Sequence, residues 1–180
     1  MIVFIFILCL NILITLFSST ISGYIFAYTR WSFYKIYSCF LFCLILFQLI
    51  EIHGRLKLSS FFQYKWLNII IIVLTFILVV IEIRKNNFLA LSAVLEEGIY
   101  RIIAVPYFLN IFKSPGIVVV LISIIFMFNH IYIIYISLNR FKSFLILLIL
   151  NICLILLAMY VNVWVCPLIH LIYDIEVIKR

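Results

Sequence analysis

The sequence predicts an all-α fold, a polytopic bundle of about seven transmembrane helices with no water-soluble domain. Hydrophobic residues make up 69% of the 180 residues and charged residues 11%, whereas a soluble domain is typically about 25% charged. The mean hydropathy is +1.39. Twelve of the thirteen basic residues lie in loops or at the ends of apolar runs, as expected at membrane spans. The net charge of +7 therefore indicates contact with a lipid bilayer and not nucleic-acid binding.

Each predicted span is an apolar run close to the roughly 20 residues that cross a bilayer. The first run lacks a basic n-region and predicts an uncleaved helix. The longest polar connection follows the second run, and Pro106 is expected to kink the fourth. The predicted spans cover 2–28, 36–52, 66–83, 88–110, 117–138 and 143–162, followed by a short helix that begins near Pro167.

The distribution of basic residues predicts an orientation. With seven spans, eight basic residues fall on one side of the membrane and four on the other. Because loops rich in Lys and Arg stay in the cytoplasm, we expect a cytoplasmic C-terminus in a multi-pass protein of the cell membrane.

Two carboxylates and an arginine interrupt the fourth span, in the stretch LEEGIYR that begins at Leu95. A charge inside a bilayer is costly, so such residues are functional candidates by default. Glu97 and Arg101 are spaced i, i+4 and can pair on one helix face. Glu96 is rotated from Glu97 by about 100° and has no obvious local partner. Glu96 is therefore the candidate reactive carboxylate.

Three ionisable residues on three different predicted helices fall at one depth. Glu96, His130 and His170 each lie eight residues from the same predicted membrane face, or about 12 Å at 1.5 Å per residue. Asp174 shares a helix face with His170. Each residue also has a structural interpretation, such as a histidine bonded to a neighbouring helix or Asp174 facing water. Together they predict one polar cavity nearer the cytoplasmic face.

Such a cavity supports hydrolysis. A carboxylate can act as general base on water, a histidine can hold that water, and further donors can stabilise an oxyanion. A glutamate and two histidines are also zinc ligands, which leaves His130 and His170 as alternative metal ligands, although no HExxH motif is present. The five cysteines are scattered and predict neither a disulfide framework nor a metal site.

Three motifs then occur in order: EExxxR from Glu96 to Arg101, FxxxH from Phe126 to His130, and HxxxD from His170 to Asp174. With these motifs the chain resembles the CPBP family of intramembrane proteases, which includes the type 2 CAAX prenyl endopeptidases and bacteriocin self-immunity proteins. The resemblance covers the second half of the chain. We therefore divide the sequence into N-terminal transmembrane helices without a motif, 1–87, and CPBP-like catalytic helices, 88–180.

The resemblance implies a glutamate-type endopeptidase that cleaves a membrane-associated peptide or protein. Glu96 would activate water and His130 would position it, while His170 and Asp174 face the developing oxyanion. Glu97 and Arg101 would support the site. No cofactor is expected, with zinc as the alternative. Asp174 stands where the prenyl endopeptidases carry Asn, and an ionised Asp cannot donate a hydrogen bond.

Two other functions compete with proteolysis. The chain could be a bacteriocin self-immunity or resistance protein that acts by binding, which needs the fold but not Glu96. It could also be a small transporter or channel, which would spread polar residues along a path. The clustering of the polar residues at one depth favours a protease or an immunity protein over a transporter.

Overall fold

The computed structural model describes residues 2–52 and 65–178, and these residues form helices joined by short turns with no strand among them. The predicted all-α class is confirmed. The predicted polar connection after the second span, and the last two basic residues of the chain, lie outside the described ranges.

The described residues form ten α-helices and one π-helix, which continues α5 directly into α6. They are α1 (Ile2–Leu16), α2 (Ser18–Thr29), α3 (Phe33–Ile52), α4 (Lys65–Arg84), α5 (Leu89–Glu97), a π-helix (Gly98–Ala104), α6 (Val105–Phe112), α7 (Pro115–Asn129), α8 (Ile131–Ile136), α9 (Arg140–Tyr160) and α10 (Val165–Ile178).

Several helices have the length and composition to cross a membrane. Among the described residues, α3, α4 and α9 each contain such a stretch, and the bent pair α1–α2 is a fourth if it counts as one span. α4 exposes large apolar side chains, including Ile70 at 63% and Phe76 at 68%, as a lipid-facing helix does. The structure thus supports a helical membrane protein with three or four candidate spans, and the count of seven stays a prediction.

The first predicted span is not one straight helix. The chain bends by 73° between α1 and α2, at Phe17. None of the described residues of α2 is buried. The prediction of one uninterrupted helix over 2–28 was wrong, because hydropathy alone does not register a change of backbone direction.

The fourth predicted span forms a continuous helical segment over 89–112. The π-helix within it ends immediately before the turn that contains Pro106, and the Val105 N–H bonds to the Tyr100 carbonyl five residues back. Proline has no N–H to continue the i→i−4 ladder, and π-bulges occur frequently at functional sites. The helix therefore widens directly after the two glutamates.

The fifth predicted span is also interrupted. α7 ends at Asn129, His130 has non-helical dihedrals (φ −103°, ψ 4°), and the short α8 follows. The expectation of one helix over 117–138 was wrong at His130. The last two predicted helices are present as α9 and α10, with boundaries a few residues from those expected.

The core lies where α3 meets α5 and the π-helix, with α1 and α7 packed alongside. Leu41, Ile99, Ile122 and Phe126 are completely buried there. A Cβ atom added at Gly98 would lie 3.1 Å from Ile45 Cδ1, tighter than ordinary contact. The missing side chain therefore lets α3 approach the helix that carries Glu96 and Glu97.

We expect Gly98→Leu to lower the free energy of unfolding by about 1–3 kcal/mol, as overpacking of a closed core does. Gly23→Leu is the matched control, since nothing lies within 4 Å of a Cβ there. Unfolding would be followed in detergent by circular dichroism. Equal stability of the two variants would contradict the close approach of α3.

Candidate functional site

A cavity of about 410 Å³ is lined by residues of α1, α2, α3, α5 and α7 to α10. Its polar lining comes from α1, α2, α3, α5, α7, α9 and α10, from the α7–α8 break and from the turn after α8. Among the polar residues that line it are Thr15, Tyr37, Glu96, Asn129, His130, His170 and Asp174. The cavity thus contains all four residues that the sequence predicted as catalytic.

Glu96 and His130 face each other across this cavity. His130 Nε2 lies 3.6 Å from Glu96 Oε2, and both side chains are more than nine-tenths buried. His130 Nδ1 lies 3.0 Å from the Phe126 carbonyl oxygen, which can only accept, so Nδ1 carries the proton. Nε2 is then directed towards the carboxyl group, at a separation slightly longer than a direct hydrogen bond.

Glu97 points away from the cavity into a fully buried ion pair. Its Oε1 lies 3.1 Å from Arg101 Nη1, and both side chains have no exposed surface. The i, i+4 pairing predicted from the sequence is confirmed. Charges this deep need a partner, because removing an ion from water costs several kcal/mol.

The same Glu97 oxygen also holds His170, whose Nδ1 lies at 2.8 Å. His170 Nε2 is left towards Asp174, with Oδ1 at 3.8 Å. The ring orientation of His170 is therefore set by the buried pair through Glu97.

Arg101 is anchored on its far side by two residues that the sequence interpretation missed. Its Nη2 donates to Asn151 Oδ1 at 2.6 Å, and Asn151 Nδ2 donates to Ser123 Oγ at 2.8 Å. Asn151 is completely buried in α9. An asparagine in the middle of an apolar run was the signal that could have identified it.

Phe126 explains why an aromatic residue precedes His130 by one helical turn. Its ring stacks on the His130 imidazole at 4.1 Å between centroids, and the Arg101 guanidinium lies 4.6 Å from the ring centre. A cation over an aromatic face is attracted to the ring. Phe126 thus fixes the histidine of one motif against the arginine of another.

The N-terminal helices contribute a wall that the sequence division into two parts did not predict. The Tyr37 hydroxyl donates to Asn11 Oδ1 at 3.0 Å, and Asn11 Nδ2 donates to the Tyr100 hydroxyl at 3.1 Å. Tyr37 lines the cavity close to Glu96. Residues 1–87 carry no motif, yet they help to enclose the site. Asn11, isolated among apolar residues of α1, was the available signal.

The zinc alternative needs a set of converging ligands. Within the described residues, no group of three His, Cys, Asp or Glu side chains is arranged to hold a metal ion. His130 Nδ1 is bonded to a backbone carbonyl and His170 Nδ1 to Glu97. These bonds leave both Nε2 atoms towards the cavity, beside Glu96 and Asp174, but no third ligand converges with them within the described ranges.

The six residues that the sequence predicted for the site meet at one place, in two different environments. Glu96, His130, His170 and Asp174 line the cavity, whereas Glu97 and Arg101 lie behind it. The geometry can place water beside a carboxylate and an imidazole, opposite a second histidine. Comparison of the chain with known protein families, curated proteins and solved structures found no match.

We expect Arg101→Met to destabilise the fold by about 3–5 kcal/mol, because it removes the arginine that forms an ion pair with the buried Glu97 carboxylate. The double variant Glu97→Gln/Arg101→Met should lose less than the sum of the two single variants. Lys85→Met is the control: it removes the partner of Glu82 from a pair whose lysine is 62% exposed, and such pairs are worth about 0–1 kcal/mol. Unfolding in detergent micelles measures all four, and additive losses would show that the pair is not coupled.

Proposed function

We propose that the chain is an intramembrane glutamate-type endopeptidase of the CPBP kind, which hydrolyses a peptide bond in a membrane-associated peptide or protein. The observation that carries this proposal is the meeting of Glu96, His130 and His170, from three helical segments, on one cavity. The second glutamate of the pair is held out of that cavity by Arg101. Two adjacent carboxylates thereby acquire different roles.

The attacking water is activated between Glu96 and His130. A water molecule beside both groups donates one proton towards Glu96 Oε2 and the other towards His130 Nε2, whose lone pair is directed to the cavity. Its oxygen lone pair is then free to approach a substrate carbonyl. Holding nucleophile and base in this geometry supplies much of the catalysis in such sites.

Hydrolysis then proceeds by addition of the water to the substrate carbonyl, followed by cleavage of the C–N bond. Glu96 removes a proton as the water oxygen bonds to the carbonyl carbon, and the carbonyl π electrons move to its oxygen. A protonated His170 donates from Nε2 to that oxyanion. Collapse of the intermediate breaks the C–N bond, and Glu96 returns its proton to the leaving amine.

The buried Glu97–Arg101 pair contributes by orienting His170. Glu97 accepts from His170 Nδ1 at 2.8 Å and turns Nε2 towards the cavity. Arg101 keeps Glu97 in place and is itself held by Asn151. Such supporting contacts determine whether a site has a productive geometry.

We further propose about seven membrane-crossing segments, no soluble domain, and a cavity nearer the cytoplasmic face of the cell membrane. Two cavity residues, Tyr34 and Ser143, are direct chain neighbours of Lys35 and Lys142. Basic residues concentrate on the cytoplasmic side of membrane proteins. The basic side of the bundle is therefore the side from which a substrate reaches Glu96.

The competing function is bacteriocin self-immunity by binding, in which the polar cavity serves the fold or a binding event. That function does not require a general base. Replacing Glu96 with the isosteric Gln separates it from proteolysis, since the shape is kept and the proton acceptor is lost.

We expect Glu96→Gln to abolish specific cleavage, because the amide cannot take a proton from water. The measurement is a comparison of the peptides in membranes from cells that carry the wild type or the variant at matched protein levels. Peptide termini that disappear in Glu96→Gln name the substrate. Glu176→Gln, the same change at an exposed position of α10, should leave these termini unchanged.

The opposite result is equally informative. If the wild-type and Glu96→Gln peptides match while a protective phenotype persists in the variant, proteolysis is rejected and immunity by binding becomes the function.

We expect the same cleavage products to form after membranes are extracted with a metal chelator, because the mechanism uses only side chains and water. Loss of the products on chelation, with recovery on addition of zinc, would contradict this and favour zinc at His130 and His170. A chelator-treated Glu96→Gln membrane provides the background.

A further inference from the structure

An apolar groove of about 520 Å³ lies between α7, α8 and α9. Ten of its eleven lining residues are apolar, and the eleventh is Ser123, which accepts from Asn151 at the end of the buried polar chain. Two lining residues, Val120 and Phe128, are 60% and 51% exposed, so the groove is open at the surface of the bundle. Its volume falls within the range of roughly 300–1,000 Å³ that is typical of small-molecule sites.

The groove runs along one stripe of α9. Phe144, Leu148 and Ile152 line it, and residues four positions apart lie on the same helix face. From the first of these residues to the last the helix rises about 12 Å. Half of the hydrocarbon core of a bilayer, which is the depth of one lipid chain, is about 15 Å. The groove is therefore comparable in length to one acyl chain.

A cation marks one end of this stripe. Arg140 is exposed and lies four residues before Phe144, and its guanidinium lies 4.6 Å from the ring centre of Tyr135 in α8. Arg140 is the first residue of α9, where the helix dipole favours an anion over a cation. The helix itself therefore does not explain the arginine. A guanidinium can bind a phosphate group through two parallel N–H bonds.

An apolar trough with a cationic end is the complement of an anionic amphiphile. Basic pockets between membrane helices bind the headgroups of anionic lipids. A second copy of this chain is a poor complement for Arg140, because the sequence contains 13 basic and 6 acidic residues. Of these acids, Glu82, Glu96 and Glu97 are buried. The charge pattern thus favours a lipid over a second copy.

We propose that this groove binds one anionic phospholipid, with an acyl chain along α9 and the phosphate on Arg140. The inference goes beyond the endopeptidase function and does not depend on it. Ile134 of α8 lines the groove, whereas Ile133 lines the cavity. The lipid therefore packs against the same short helix that follows His130 and supports that wall of the cavity from outside.

The headgroup is tested by native mass spectrometry of the purified full-length protein in detergent, with phosphatidylglycerol or phosphatidylcholine added at equal concentration. We expect one phosphatidylglycerol to be retained per chain. Its affinity should exceed that of phosphatidylcholine about fivefold, the preference that one basic residue gives an anionic lipid. Arg140→Gln should remove this preference. Arg30→Gln is the matched control, since Arg30 also lies beside an aromatic ring, that of Phe26, but away from the groove.

The chain is tested by filling the groove. We expect Val120→Trp to lower retention of phosphatidylglycerol at least tenfold, because the indole occupies the space of the acyl chain. Ile124→Trp repeats the test from a second lining residue that is 50% exposed, so that misfolding of one variant, seen by circular dichroism, leaves the other. Val73→Trp, at a 50% exposed valine of α4, should retain lipid as the wild type does.

Three results would overturn the assignment: equal affinity of the wild type for the two lipids, a preference that survives in Arg140→Gln, or retention of lipid by the folded groove-filling variants. A dimer that Val120→Trp dissociates, without loss of lipid, would instead give the groove to a second copy. Lipid retention is measured without substrate, so a failure of the endopeptidase function leaves these outcomes unchanged and the two proposals fail separately.

Discussion

The structure depends on one buried electrostatic contact, the Glu97–Arg101 pair. Both side chains have no exposed surface, and a lone charge in that position would be prohibitive. The pair is extended at both ends: the guanidinium donates to Asn151, which in turn donates to Ser123, and His170 bonds to the carboxylate. This chain of contacts ties α5, the π-helix, α7, α9 and α10 together through polar bonds in an otherwise apolar bundle. It also orients one histidine of the cavity, so stability and site geometry have the same origin.

Three helical segments are interrupted beside the cavity. The chain bends between α1 and α2 at Phe17, the helix widens after Glu97, and α7 ends at Asn129. Each interruption lies within two residues of a residue that lines the cavity. Irregular backbone at membrane depth is tolerated where protein or a water-filled cavity satisfies its polar groups. The three interruptions therefore lie around one cavity, where irregular backbone can be accommodated.

The sequence predicted the class of fold and the motif residues because the signals were strong and local. Sustained apolar runs predict helices, and charges such as Glu96 or Arg101 are conspicuous inside them. The break at His130 and the bend at Phe17 were missed because hydropathy carries no information about backbone direction. Asn151, Tyr37 and Asn129 were missed for another reason: their importance lies in contacts with residues far away in the chain. Arg101 and Asn151 are 50 positions apart, and Thr15 and Asn129 are 114 apart.

The placement of His170 has a consequence for biosynthesis. Three of the cavity residues leave the ribosome in the order Glu96, His130, His170, and the last of them lies on α10. Until α10 docks against α5, Glu97 lacks one of its two partners and the cavity lacks a wall. A truncated or half-inserted chain is therefore chemically incomplete. Synthesis and docking of α10 are thus required before His170 can join Glu97 beside the cavity.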